Sequence, residues 1–143
     1  GDGEMRDKLE ATTVRLGLDE AVVFTGFQNQ SELPKYYEAA DVLTLPSSHE
    51  TWGLVINEAM NFSLPIIASD SVGAVPDLVD DRNGRVVPTG DSAALAEAIE
   101  TVLNSNKLRL EMGKMSRDRI DDWGIEETAD GVVAAAEQAI TNR

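Results

Sequence analysis

The chain has 143 residues, 42% hydrophobic and 27% charged, which suits one soluble domain with a sizeable core. Twelve basic residues against 26 acidic ones leave a formal charge of −14, a surface that repels nucleic-acid backbones and anionic lipid. The absence of cysteine excludes disulfides and thiolate catalysis, and the single histidine, His49, argues against a histidine-cluster metal site.

In chain order, Met5, Leu9 and Leu16 recur at helical spacing, and Gly17 ends that segment. Residues 21–25 form a short β-rich run ending at Gly26. Ser31 is placed to cap a helix reaching about Ala40 that carries Leu33, Tyr36 and Tyr37. Residues 42–45 read as a strand, residues 53–62 as a helix stopping before Pro65, and residues 65–69 as the next strand. A loop at Val72-Gly73-Ala74 leads to a short helix near residues 75–79. The turn Asp81-Arg82-Asn83-Gly84 precedes a strand over residues 85–88. Asp91 or Ser92 caps a helix with Leu95, Ile99, Val102 and Leu103 on one face, and a further helix carries Leu108, Met112 and Met115. Trp123 is a packing anchor before a last helix over residues 125–140.

Strands that are near-continuous apolar runs and alternate with helices predict an α/β fold, a Rossmann-like parallel sheet flanked by helices. Ligands on such sheets bind beyond the strand C-termini. Residues 26–27, 46–53, 69–74 and 88–90 fall at that edge. No internal repeat, linker, signal-peptide pattern or membrane-length apolar stretch is present in the sequence.

The segment from Ser47 to Met60 carries the chemistry. Gly53 marks a helix start, and the N–H groups near residues 51–55 are left without intrahelical partners. Those free donors and the helix dipole favour an anion such as phosphate. Glu50 stands on the loop before this start and Glu58 more than a turn inside the helix. Two carboxylates on either side of an anion site suit a ligand with an anionic centre and hydroxyls on both sides. A sugar nucleotide has that layout.

An ordered series runs through the chain: Gly1-Asp2-Gly3, Phe24-Thr25-Gly26-Phe27, Ala39-Ala40-Asp41-Val42, Leu45-Pro46-Ser47 and the E-x7-E stretch from Glu50 to Glu58. Residues 64–69, Val72-Gly73-Ala74-Val75-Pro76-Asp77 and residues 83–88 continue it. In this order the pieces resemble retaining glycosyltransferases of the GT-B fold, family 4 (group 1). The similarity runs to about Ile140 and covers most of the C-terminal, donor-binding domain. Acids eight apart are common, so the specificity lies in the series rather than in the acid pair.

The resemblance implies a role for each matching position. Glu50 would contact the donor sugar's hydroxyls near the reacting carbon, as the catalytic residue. Glu58 would bind the ribose hydroxyls. Backbone amides around Trp52, Gly53 and Leu54 would hold the diphosphate. Gly26 and Phe27 would lie near the base, Gly1 and Gly3 would let the backbone turn close to the nucleotide, and Gly73 would lie near the ligand. The donor would be a nucleotide sugar such as a UDP- or GDP-sugar, with no metal or other cofactor. The acceptor would be a glycan or lipid held by an N-terminal domain.

The resemblance also implies that residues 1–143 are one domain, with an upstream strand–helix–strand and the acceptor domain missing. The expected parent enzyme is cytoplasmic, with peripheral membrane association an option, and this chain alone is expected to be inactive. Three departures bear on donor choice. Thr51-Trp52-Gly53 replaces the family's Gly-Phe-Gly, Gly73-Ala74 replaces Gly-Gly, and Asp77 stands where Glu is usual. The family's basic diphosphate pair lies upstream of Gly1. The alternative reading is a non-catalytic α/β binding or assembly module that self-associates through exposed sheet edges. A nucleotide-sugar epimerase is the third.

Overall fold

In a computed structural model the described residues are 2–141, and their contacts cluster into two compact units, one up to Glu38 and one from Ala39 on. The first unit holds α1 (Arg6–Arg15) and most of α2 (Leu33–Ala39). Gly17, at φ +67°, follows α1 in the left-handed region. The start of α2 differs from the expected Ser31 cap. Asn29 holds it instead, its Oδ1 accepting from the Glu32 amide at 3.1 Å and from the Ser31 hydroxyl at 2.6 Å. Residues 21–25 form no strand, contrary to the sequence reading. Their β-rich composition finds no ladder partner among the described residues, and Val23 is 80% exposed. The apolar stripe of α1 is likewise uncovered, with Met5, Leu9 and Leu16 exposed.

The second unit is built on a three-stranded parallel sheet in the order β1 (Leu43–Leu45), β2 (Ile66–Ser69), β3 (Gly84–Val87). Parallel neighbours need a crossover. The first includes α3 (Leu54–Asn61), and the second includes α4 (Val75–Leu78). All four residues of β2 are buried, as a central strand covered on both faces requires. In register, Ile67 pairs with Arg85 and Ser69 with Val87, so Ile67 and Val87 share a face. On that face they pack with Ala98 and Val102 of α5 (Ser92–Leu103) and Met112 of α6 (Asn106–Ile120). Full burial of a side chain such as Ile67 contributes about 1.5–3 kcal/mol.

Local chemistry fixes the ends of these elements. Asp91 caps α5, its Oδ1 accepting from the Ala93 and Ala94 amides at 3.0 and 2.9 Å. Ser105 caps α6. Buried Asn83 pins the turn before β3, donating to the Leu78 carbonyl and accepting from the Asp80 amide, each at 2.9 Å. A Cβ on Gly84 would lie 2.0 Å from the Ile66 carbonyl oxygen, so only glycine lets β3 approach β2 there. The last helix, α7 (Ile125–Thr141), buries none of its residues. No helix among the described residues is long and apolar enough to cross a membrane.

Candidate functional site

The C-terminal ends of β1, β2 and β3 open into three loops, and a hydroxyl network ties them together. The Ser47 carbonyl after β1 accepts from the Ser69 hydroxyl and, at 2.7 Å, from the Ser71 hydroxyl after β2. The Thr89 hydroxyl after β3 donates to Ser71 Oγ or to the Asp70 carboxylate, and the Thr89 amide donates to Asp70 at 3.0 Å. Those bonds, the hydroxyl first, hold Asp70 below the ordinary carboxylate pKa of 3.8. Beside this network Pro46, Ser69, Val87, Pro88, Asp91 and Leu95 line a pocket of about 160 Å³.

The loop from β1 to α3 is fastened to the loop after β2 by backbone. Glu50 and Val72 form a parallel bridge. The Gly73 amide donates to the Glu50 carbonyl and the Ala74 amide to the Trp52 carbonyl, both at 2.9 Å. This requires a glycine at 73, because a Cβ there would lie 2.0 Å from the Thr51 carbonyl oxygen. Close backbone approach within the protein therefore accounts for Gly73.

At the start of α3, Gly53 has φ +99°, a left-handed conformation that glycine tolerates and larger residues avoid. A side chain there would also press on Val72 at 3.0 Å and Leu45 at 3.2 Å. No side chain caps the helix. The first backbone bond at this end joins the Ile56 amide to the Gly53 carbonyl at 2.8 Å, so Leu54 and Val55 present amides from the orphan first turn. Leu54 is exposed, and Glu58 follows it by one helical repeat on the same face, half-buried.

Glu50 is half-buried and reaches back to its own loop, its Oε1 accepting from the Trp52 amide at 3.2 Å. One of the amides expected to serve a diphosphate therefore already holds a carboxylate. The Trp52 indole N–H donates to Asn57 Oδ1 at 3.0 Å, and its ring lies 5.7 Å from that of Trp123, tilted by 39°. Asn57 and Trp123 went unread as neighbours of the site. Trp52 and Asn57 are five positions apart, which is reach enough across a helix start, but only the fold brings Trp123 there.

The structure thus gathers Glu50, Trp52, Gly53, Leu54, Glu58 and Gly73 into one loop-and-helix assembly. Gly3, Gly26 and Phe27 belong to the first unit, and Gly1 lies outside the described residues. Within that unit the Phe27 amide donates to Asp2 Oδ2 at 3.0 Å, and Asp2 also pairs with Arg6. These two contacts, the amide first, lower the Asp2 pKa. Gly26 is at φ +67°. Gly26, Phe27, Tyr36 and Tyr37 line a cleft of about 290 Å³, with Phe27 75% exposed. Around Gly3 there is open space. Among the described residues no group of three or more acidic or histidine side chains is placed to hold a metal ion.

The sequence is 34% identical over 131 residues to a lipopolysaccharide core biosynthesis glycosyltransferase, LpsE, of Rhizobium meliloti, covering 85% of this chain and 38% of that protein. The fold superposes on sucrose-phosphate synthase from Thermosynechococcus elongatus with a TM-score of 0.85 and 31% identity, over 100% of this chain and 36% of that one. It also matches HepE of Anabaena, solved with UDP, with a TM-score of 0.78 and 27% identity over 91% of this chain and 36% of that one. The chain therefore spans little more than a third of the length of these proteins. The family profile described as "Glycosyl transferases group 1" matches residues 1–119, a stretch that includes Glu50, Gly53 and Glu58. The α/β fold, with its parallel sheet flanked by helices, is that of a GT-B C-terminal domain, and the chain belongs to the group 1 glycosyl transferase family.

Proposed function

We propose that this chain supplies the donor site of a retaining hexosyltransferase and binds a nucleotide-diphospho-sugar. The observation that carries the reading is the uncapped start of α3 at left-handed Gly53, flanked by Glu50 and Glu58 within the family-matched stretch. In this reading the diphosphate takes the amides of Gly53 and Leu54 and displaces the Glu50 carboxylate from the Trp52 amide. Glu50 then turns to the sugar hydroxyls, and Glu58 accepts from the ribose. That the Anabaena neighbour was solved with UDP supports a uridine donor over other bases.

In the transfer step the bond from the anomeric carbon to the diphosphate oxygen breaks, and the acceptor oxygen bonds to that carbon with retention. The acceptor proton leaves with the nucleoside diphosphate. Negative charge grows on the leaving diphosphate, where the aimed amides stabilise it. The carboxylate of Glu50 stabilises the oxocarbenium-like centre. Amides and side-chain cations take the diphosphate charge without a metal. The acceptor, a glycan or lipid, binds to a part of the longer protein beyond this chain, which on its own transfers nothing.

Calorimetric titration of the chain with UDP and GDP, in EDTA, tests the site. Wild type is expected to bind one of them. Glu58→Ala is expected to weaken that binding about tenfold, the loss of a charge-assisted contact, while Glu50→Gln changes it little. Equal, wild-type affinity in both variants contradicts the assignment. In the longer protein Glu50→Gln should cut turnover, and the anomeric configuration of the product by NMR tests retention.

A further inference from the structure

Trp52 is held on several sides. Its amide meets Glu50 Oε1, its carbonyl accepts from the Ala74 amide and its indole N–H donates to Asn57. The remaining contact comes from the far end of the chain, where Trp123 stands in the connection between α6 and α7 with its amide bonded to the Ile120 carbonyl at 3.0 Å. α6 itself packs along α3, the helix that opens at the site. Trp123 therefore follows directly after a helix packed along α3, and its ring bears on the Trp52 side chain, in the loop between Glu50 and Gly53.

We propose that Trp123 is a positioning residue for the donor loop: its ring holds the Trp52 indole on Asn57 and so keeps the Gly53 and Leu54 amides that follow aimed at the diphosphate. This rests on the donor-site reading above. Without the Trp123 ring, the Trp52 indole loses an aromatic neighbour and gains room to turn. Its hydrogen bond to Asn57 then competes with water, and the loop amides lose their fixed direction. An aromatic pair of this geometry corresponds to about a two- to tenfold change in an equilibrium constant. That is the range by which preorganisation of the amides is expected to change nucleotide affinity.

The chain has only two tryptophans, so the circular-dichroism couplet of neighbouring indoles reports this contact alone. In Trp123→Leu the couplet is expected to vanish. Amide hydrogen exchange should quicken at Trp52, Gly73 and Ala74, the bonded amides of the two fastened loops, while the amides of β2 keep their protection, and UDP affinity should fall about two- to tenfold. Trp123→Phe, which keeps an aromatic ring, should restore exchange and affinity without the couplet. Loss of the couplet with unchanged exchange at Trp52, Gly73 and Ala74 and unchanged UDP affinity overturns the proposal. If wild type binds neither UDP nor GDP, the donor-site reading fails, and the exchange comparison alone decides whether Trp123 positions the loop. If Trp123→Leu does not fold, Trp123→Met takes its place with the same outcomes.

Discussion

Replacing Gly73 by alanine tests the backbone fastening beneath the site. The new Cβ would lie 2.0 Å from the Thr51 carbonyl oxygen and 2.7 Å from its carbon, where ordinary contact begins at 3.4 Å. Backbone atoms cannot swing aside as a flexible side chain can, so the two loops must part by more than an ångström. That separation breaks the bonds from the Gly73 amide to Glu50 and from the Ala74 amide to Trp52. At about 0.5–1.5 kcal/mol net for each bond, the cost is about 1–3 kcal/mol. For a chain of this size the thermal midpoint should fall by about 4–10 °C. The same movement carries Glu50 and Trp52 away from the start of α3, so UDP affinity should fall by at least tenfold, about 1.4 kcal/mol. Thermal melts by circular dichroism and UDP titration read the two effects. Gly131→Ala is the control, since open space surrounds that glycine in α7. There alanine should stabilise the helix by about 0.5–1 kcal/mol. A Gly73→Ala chain that melts at or above the wild-type midpoint and binds UDP normally would refute the reasoning.

Further outcomes are expected from single changes. Asp91→Ala removes the cap that takes the Ala93 and Ala94 amides, and should cost about 1 kcal/mol by chemical denaturation; no loss would contradict the cap. Asp80 is held well below its usual pKa of 3.8 by hydrogen bonds from Arg82 first and then Arg119, against the opposing effect of partial burial. A depressed folded-state value means that this stabilisation is whole above about pH 4 and is lost as pH falls toward the folded value. The gap in thermal midpoint between wild type and Asp80→Asn should therefore be constant from pH 5 to 7 and shrink from pH 4 to 2. A gap unchanged at pH 2 would remove the linkage. With a net charge of −14, the chain should gain thermal stability as potassium chloride is raised at neutral pH, and a midpoint indifferent to salt would show that self-repulsion is unimportant.

Much of the second unit was readable because its elements carry local signals. Apolar runs marked β1 and β2, and the helix read over residues 53–62 matches α3 to within a residue at each end. The apolar face and a cap at Asp91 or Ser92 announced α5, and Asp91 is the residue that caps it. Residues 21–25 misled because strand composition describes a segment suited to a half-buried pleat, while a strand exists only when a neighbour supplies the ladder. Ser31 misled because Asn29, two residues earlier, takes the Glu32 amide and the Ser31 hydroxyl itself. In the site, the E-x7-E spacing and Gly53 were legible because both depend on one loop and one helix. The use of Gly73 was less so, since a glycine in sequence does not say whether a ligand or the protein's own backbone comes close. The Glu50 bond to the Trp52 amide and the pairing of Trp52 with Trp123 were invisible. The first turns on a rotamer, and the second on the packing of α6 against α3.

The most direct test of the donor-site account is an amide NMR titration of the folded chain with UDP. The account predicts saturable shifts centred on Glu50, Trp52, Gly53, Leu54 and Glu58, with the Trp52 amide shifting as Glu50 releases it. Shifts that saturate elsewhere and leave residues 50–58 unmoved, or no shifts with either UDP or GDP in a folded sample, would contradict it.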